Sequence, residues 1–347
     1  IAKCCALDPD DRFASADELR TQALGVLREV VAGSTEGTAL TSSASMLFTT
    51  PAVSTATVEW SQLPWLRPDQ TDPQHSWLTS IAPGPPDQRL KDLAKAPEDT
   101  AEVWLARGLE HLRAAAPAKA IEASRQVLAA DPWDWRALWL SGLAHLLGGQ
   151  AESARDNFNA VYRQVPGELA PKLALAIACE ASGQPGVAEG LYATCASTDA
   201  AYLPPAAFGM ARVRAARGDA TGAVAALDLV PSTSRGFGEA RRRRADYLLT
   251  GASDLGRLDA AYHSLDGVRM DVTERESLSA RILEQALALV GPQGRQPGTV
   301  GPYAAESGAL RTALEARYRL LAREAATVEE RIDLVNRANA VRTWSLT

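Results

Sequence analysis

The chain has 347 residues, 46% of them apolar and 6% aromatic, with a net charge of −6. That length suits two domains or one elongated repeat array, and abundant alanine with few aromatics suits an all-α fold packed through small residues. The acidic balance argues against a nucleic-acid binder, which needs a clustered basic face, and four cysteines without a Cys-x-x-Cys pair have neither the pairing of a zinc site nor the density of a disulfide scaffold.

The sequence opens at Ile1 without Met, a basic stretch or an apolar run, so no secretory signal is read and the start is expected to be a truncation. The longest apolar run, residues 173–179, falls far short of the roughly twenty needed to cross a bilayer. Reduced thiols in a cytoplasmic protein are the expectation.

Within residues 1–32, Ser15 and Glu18 form a capping box that starts a helix running to about Ala32, with Gly33 as its stop. Leu19, Ala23, Leu24, Leu27, Val30 and Val31 keep a 3.6-residue period and are expected to be its buried face. Residues 33–86 turn to Ser, Thr, Pro and Gly, and the spacing of their prolines predicts an extended linker with no regular element. Trp60, Trp65 and Trp77, with Met46, Leu47 and Phe48, are expected to dock this linker on neighbouring surfaces.

From residue 87 onward the chain reads as helix after helix at the 34-residue period of tetratricopeptide repeats. Gly108 aligns with Gly142; Ala120 with Ala154 and Ala188; Ser124 with Phe158 and Tyr192; Pro132 with Pro166. The small residues mark close helix contact, Phe158 and Tyr192 fill the gap opposite, and the prolines end each second helix. A fourth unit, with about two extra residues in its first helix, covers 205–230; a degenerate one covers 245–268; closing helices lie at 274–290, 309–324 and 328–341.

Trp104, Trp133, Trp135 and Trp139 crowd the first repeats, either as a buried cluster or as anchors for a partner, with Trp135 and Trp139 the candidates for a partner surface. The groove positions Leu105, Leu109, Trp139, Leu140, Leu143, Ala170 and Ala174 are apolar, so a clamp for an acidic tail is not expected. Arg241, Arg242, Arg243 and Arg244 form the one basic run, a solvated face or a small patch for an acidic partner. His111 and His145 share a repeat column and read as packing residues, since no Cys or carboxylate stands at ligand spacing.

The opening Cys5-Ala6-Leu7-Asp8-Pro9-Asp10-Asp11-Arg12-Phe13 resembles the last subdomain of a eukaryotic-type protein kinase, apolar-x-x-Asp-Pro-x-x-Arg. With a repeat domain directly after it, and with the runs 166–176, 230–235 and 334–342, the chain resembles the actinobacterial protein kinase G family. The resemblance implies a tetratricopeptide-repeat solenoid (87–347) preceded by the terminal helix of a kinase C-lobe (1–32) and the linker (33–86). It makes Asp8, Pro9 and Arg12 structural, Arg12 pairing with the Glu that closes the activation segment and not touching ATP.

Members of that family carry a rubredoxin-like metal module, the kinase domain and the repeats, and phosphorylate a forkhead-associated regulator of 2-oxoglutarate and glutamate metabolism. This sequence has no Gly-x-Gly-x-x-Gly, His-Arg-Asp or Asp-Phe-Gly, so no catalytic, cofactor or metal residue is expected in it, and ATP and Mg belong to the parent. The resemblance implies a regulatory interaction region offering its groove to the protein substrate, to its own kinase domain or to a second copy in a homodimer, with no nucleic acid and no membrane span. The alternative is a stand-alone repeat scaffold with a degenerate kinase lobe.

Overall fold

The computed structural model describes residues 3–9, 12–34, 44–52 and 59–342, and the chain forms two compact units, one up to Val213 and one from Arg214. Asp10 and Asp11 of the kinase-like motif lie outside the described residues. The first unit holds α1 (Ala16–Ser34), α2 (His75–Ser80), α3 (Pro86–Leu93) and then the repeats: α4 (Ala101–Arg113), α5 (Pro117–Ala130), α6 (Trp135–Leu147), α7 (Ala151–Gln164), α8 (Leu169–Ala181), α9 (Pro185–Thr198) and α10 (Leu203–Ala216). First helices begin at Ala101, Trp135, Leu169 and Leu203, and second helices at Pro117, Ala151 and Pro185. Every step is 34 residues, and adjacent helices from α4 to α9 pack against each other as in a tetratricopeptide solenoid.

The columns have a steric cause. Ala120, Ala154 and Ala188 are fully buried, as are Phe158 and Tyr192. A Cβ on Gly142 would lie 2.5 Å from the Phe158 ring, and one on Gly108 2.2 Å from Leu140, so the glycines make room for a ring and for a neighbouring helix. Ser124, in the aromatic column, instead hydrogen-bonds Ser141 Oγ at 2.6 Å. Pro132 and Pro166 follow the ends of α5 and α7 by two residues. Ala154→Leu is therefore expected to overpack this contact at a cost of ~1–3 kcal/mol. Arg243→Ala, on a helix surface, should cost under about 0.5 kcal/mol in the same urea titration.

A further column closes each hairpin in the left-handed region: Gly149 (φ 72°), Gly183 (φ 75°), Gly218 (φ 80°) and, in the first repeat, Ala115 (φ 53°). Alanine there bears the Cβ clash that glycine avoids. Ala115→Gly should stabilise by about 1 kcal/mol, read as a higher Tm. In the fourth unit α10 has 14 residues against 13 in α4, α6 and α8, so one extra residue is inserted where about two were expected.

Residues 33–86 are not free of regular structure. α2 occupies the proline-free stretch between Pro73 and Pro83, a 3₁₀ turn spans Trp60–Gln62, Pro86 opens α3, and Phe48 pairs antiparallel with Leu66. The prolines bound these elements instead of interrupting them, because proline is compatible with a first helical position and its predecessor favours extended backbone.

The second unit contains α11 (Ala220–Asp228), α12 (Phe237–Leu249), α13 (Leu255–His263), α14 (Val272–Val290), a hairpin of β1 (Arg295–Val300) and β2 (Tyr303–Glu306), α15 (Ser307–Glu324) and α16 (Val328–Val341). Its core joins Leu249, Leu258, Ile282, Leu283, Leu310 and Leu314. The hairpin is the one sheet among the described residues; Val300 and Ala305 bury its inner face on that core. Arg317 fastens it, bonding Glu276 of α14 at 2.6 Å and the Tyr303 hydroxyl at 2.8 Å. Among the described residues no helix is long and apolar enough to cross a membrane.

Candidate protein-interaction site

Helix α1 lies against α9 and the turn before α8 through a stripe of Glu18, Gln22, Gly25, Glu29 and Ala32, spaced four, three, four and three. The two backbones touch: a Cβ on Gly25 would lie 2.1 Å from the Gly167 carbonyl oxygen, and one on Gly167 2.3 Å from that of Gln22. The buried Gln22 side chain accepts the Gly167 N–H at 2.7 Å.

Four residues along, Glu29 pairs with Lys172 Nζ at 2.6 Å, and Lys172 is only 1% exposed. Lys172 also donates to the carbonyls of Pro166 and Glu168 and lies 4.6 Å from the Tyr162 ring centre. Burial raises the Glu29 pKa above its ordinary value, against the lowering effect of Lys172. Lys3 adds bonds to the Gln164 carbonyl and to Glu18, both at 3.1 Å.

The face of α1 expected to be buried is the exposed one: Leu27 is 54% and Val30 62% exposed, with Leu19, Ala23, Leu24 and Val31 also exposed. A 3.6-residue period marks an apolar stripe without saying what covers it. The repeats take the opposite, polar and small face. At the head of α1, Ser15 Oγ accepts the Glu18 N–H and Glu18 reaches back to the Ala14 N–H. Asp8 and Pro9 are exposed, and Arg12 donates to the Ala6 carbonyl at 2.9 Å.

The tryptophans separate. Trp139, a candidate for a partner surface, is 1% exposed, its ring centre 4.8 Å from Phe48 and 5.2 Å from Phe158. It is core, because the linker supplies the ring that covers it. Trp135 is half-buried, 5.5 Å from Phe48, and Trp133 is the exposed member.

The groove over α4 and α6 is thus occupied by the chain itself. Phe48, Leu66 and Leu78 meet it, Arg113 stacks 5.4 Å from Trp65, and the Thr100 hydroxyl bonds Asp72 at 2.9 Å. Ion pairs brace the repeats beneath: Arg136 with Glu102 at 2.5 Å and Asp134 at 2.6 Å, Arg89 with Glu110 at 2.7 Å. Ala170 and Ala174, further along, are fully buried.

In the second unit each arginine of the run is engaged in an ion pair: Arg241 and Arg244 with Asp228, Arg242 and Arg243 with Glu239, and Arg242 also with Asp246 and Glu274. His111 and His145 are half-buried with pKa values lowered by desolvation, and among the described residues no group of three or more His, Cys, Asp or Glu is arranged to hold a metal ion. Burial pushes the Cys195 thiol up to about 12, so it packs as a small apolar side chain. The seam residues Gln22, Gly25, Gly167 and Lys172 were not singled out by the sequence; the nearest signal is the run 166–176, which contains two of them.

Known proteins place this arrangement. The family model described as the protein kinase G tetratricopeptide repeat matches residues 61–345. The chain is 31% identical to serine/threonine-protein kinase PknG of Mycolicibacterium smegmatis, over 98% of the chain and 50% of that protein. It is 33% identical to the PknG of Mycobacterium leprae, over 97% and 49%. It spans about half the length of these curated relatives. Among solved structures, the C-terminal part of a TPR repeat-containing protein from Cytophaga hutchinsonii superposes with a TM-score of 0.51 over 72% of the chain and 92% of that one, at 11% identity, a likeness of fold alone. The chain belongs to the protein kinase G tetratricopeptide repeat family.

Proposed function

We propose that this chain is the regulatory and protein-interaction region of a cytoplasmic serine/threonine protein kinase, with α1 as the last helix of the catalytic lobe and as the joint that holds the repeats to it. The observation that carries the reading is the two-sidedness of α1. One face is fastened to the repeats by Gln22, Gly25 and Glu29, and the other leaves Leu19, Leu24, Leu27, Val30 and Val31 exposed. Exposed aliphatics in such a row fit the inside of a catalytic lobe, and the relatives are twice as long.

In this reading ATP and Mg²⁺ bind upstream, since the sequence carries none of the kinase phosphate-binding or catalytic motifs. The partners are the kinase's own lobe and its protein substrate, a forkhead-associated regulator in the family this chain resembles. The test places a cysteine at Leu27 or Val31 and follows iodoacetamide labelling by peptide mapping, which keeps the exposed Cys4 and Cys5 separate. Labelling should be fast in this chain and at least about tenfold slower in the longer kinase, as for a side chain moved into a core. Equal rates would refute the assignment of α1 to the lobe.

A further inference from the structure

Lys172 is buried in the seam between α1 and the repeats, and a lysine ammonium has three N–H groups to donate. All are engaged: one on the Glu29 carboxylate of α1 at 2.6 Å, the others on the carbonyls of Pro166 and Glu168. The Glu168 side chain stands in the same turn, half-buried, with the Ser45 hydroxyl as its partner, and Lys172 and Arg28 act on it only from a distance. Asp199, also buried, accepts the Ala201 N–H at 2.7 Å. The remaining groups around the cluster are neutral: burial pushes up the ionisation of Tyr162 on α7, Cys195 on α9 and Tyr202. Arg28 and Arg67 are exposed, and Lys3 and Glu18 pair with each other at the head of α1.

The carboxyls of Glu29, Glu168 and Asp199 thus meet a single buried cation. Closing α1 over them takes water from Glu29 and Glu168 without bringing a second buried cation. Desolvation accordingly raises the pKa of both above the ordinary carboxyl value, against the lowering effect of Lys172. We infer that the seam is a proton-sensitive joint: docking of α1 is coupled to proton uptake by Glu29 and Glu168, so the helix is held more tightly in mildly acid than in neutral solution. The sign follows from linkage. A carboxyl that ionises less readily docked than undocked contributes fully to docking below its ordinary value of 4.5, and the contribution is lost as pH rises through the docked value. A control of pH over how firmly the repeats hold a catalytic lobe rests on the preceding reading of α1; the joint itself does not.

Amide exchange along α1 in the full chain, divided by the intrinsic rate at each pH, reads the docking equilibrium at about pH 5.5 and about pH 7.5. Protection of residues 20–32 should fall at least about threefold between the two, which corresponds to release of about a quarter of a proton on undocking. Helices α6 and α7 should keep theirs. Glu168→Gln and Glu29→Gln preserve side-chain shape; each should reduce the fall, and the double variant should abolish it. Glu168→Gln alone, which leaves the Lys172 pair in place, decides the matter if the double variant does not fold. Protection that is independent of pH in the parent chain, a fall that α6 and α7 share, or an undiminished fall in the folded variants would overturn the proposal.

Discussion

Replacing Lys172 by methionine is expected to destabilise the protein by about 3–5 kcal/mol at neutral pH, because it strands a buried carboxylate. Methionine fills most of the volume of the lysine chain, so the loss is one of charge and not of packing. Glu29 and the carbonyls of Pro166 and Glu168 lose their donor together. The effect carries a pH signature. Burial already holds the folded pKa of Glu29 above the ordinary 4.5, and removing the ammonium takes away the opposing influence.

A carboxyl whose folded pKa exceeds its unfolded one contributes stability that is fully present below the unfolded value and is lost as pH rises through the folded value. The deficit of Lys172→Met should therefore be larger at about pH 8 than at about pH 5, because lowering the pH favours protonation of the stranded carboxyl, whose pKa burial raises. Adding Glu29→Leu should restore most of the loss, since an apolar pair often replaces a buried ion pair without penalty. Urea unfolding of the three proteins at both pH values measures this; a pH-independent deficit would show that the pair is not what stabilises the seam.

Trp139→Ala is expected to cost ~3–5 kcal/mol, the range for emptying a buried aromatic site. The residue joins Phe48 of the linker to Phe158 of α7, so truncation removes ring contacts on both sides. Trp139→Phe should cost distinctly less, keeping a ring and deleting an indole N–H that has no partner among the described residues. Urea titration ranks the two, with earlier proteolysis near Phe48 expected in the alanine variant. Equal stability of both variants would place Trp139 outside the core.

The repeats are legible because their grammar is short-range and steric: a glycine beneath Phe158, an alanine column, a proline two residues past α5 and α7. The left-handed turn column is obscured because its first member is Ala115, which breaks the pattern that Gly149 and Gly183 make. The hairpin is not legible in the sequence because Arg295-Gln-Pro-Gly-Thr-Val alternates poorly and only Val300 is buried on β1. The seam was illegible for a different reason. Gln22, Gly25 and Lys172 bind through a close backbone approach and a buried charge, neither of which hydrophobic periodicity records, and the conspicuous aliphatic stripe of α1 pointed away from it.

The repeats hold α1 through the Gly25 and Gly167 contact, and amide hydrogen exchange along α1 in Gly25→Leu tests that most directly. A leucine cannot fit where a Cβ would already lie 2.1 Å from a backbone oxygen. The expected result is that α1 amides, slow in the parent chain, exchange at least about tenfold faster in the variant, while α6 to α9 stay unchanged. Exchange along α1 that is the same in both proteins would contradict the docking of this helix on the repeats.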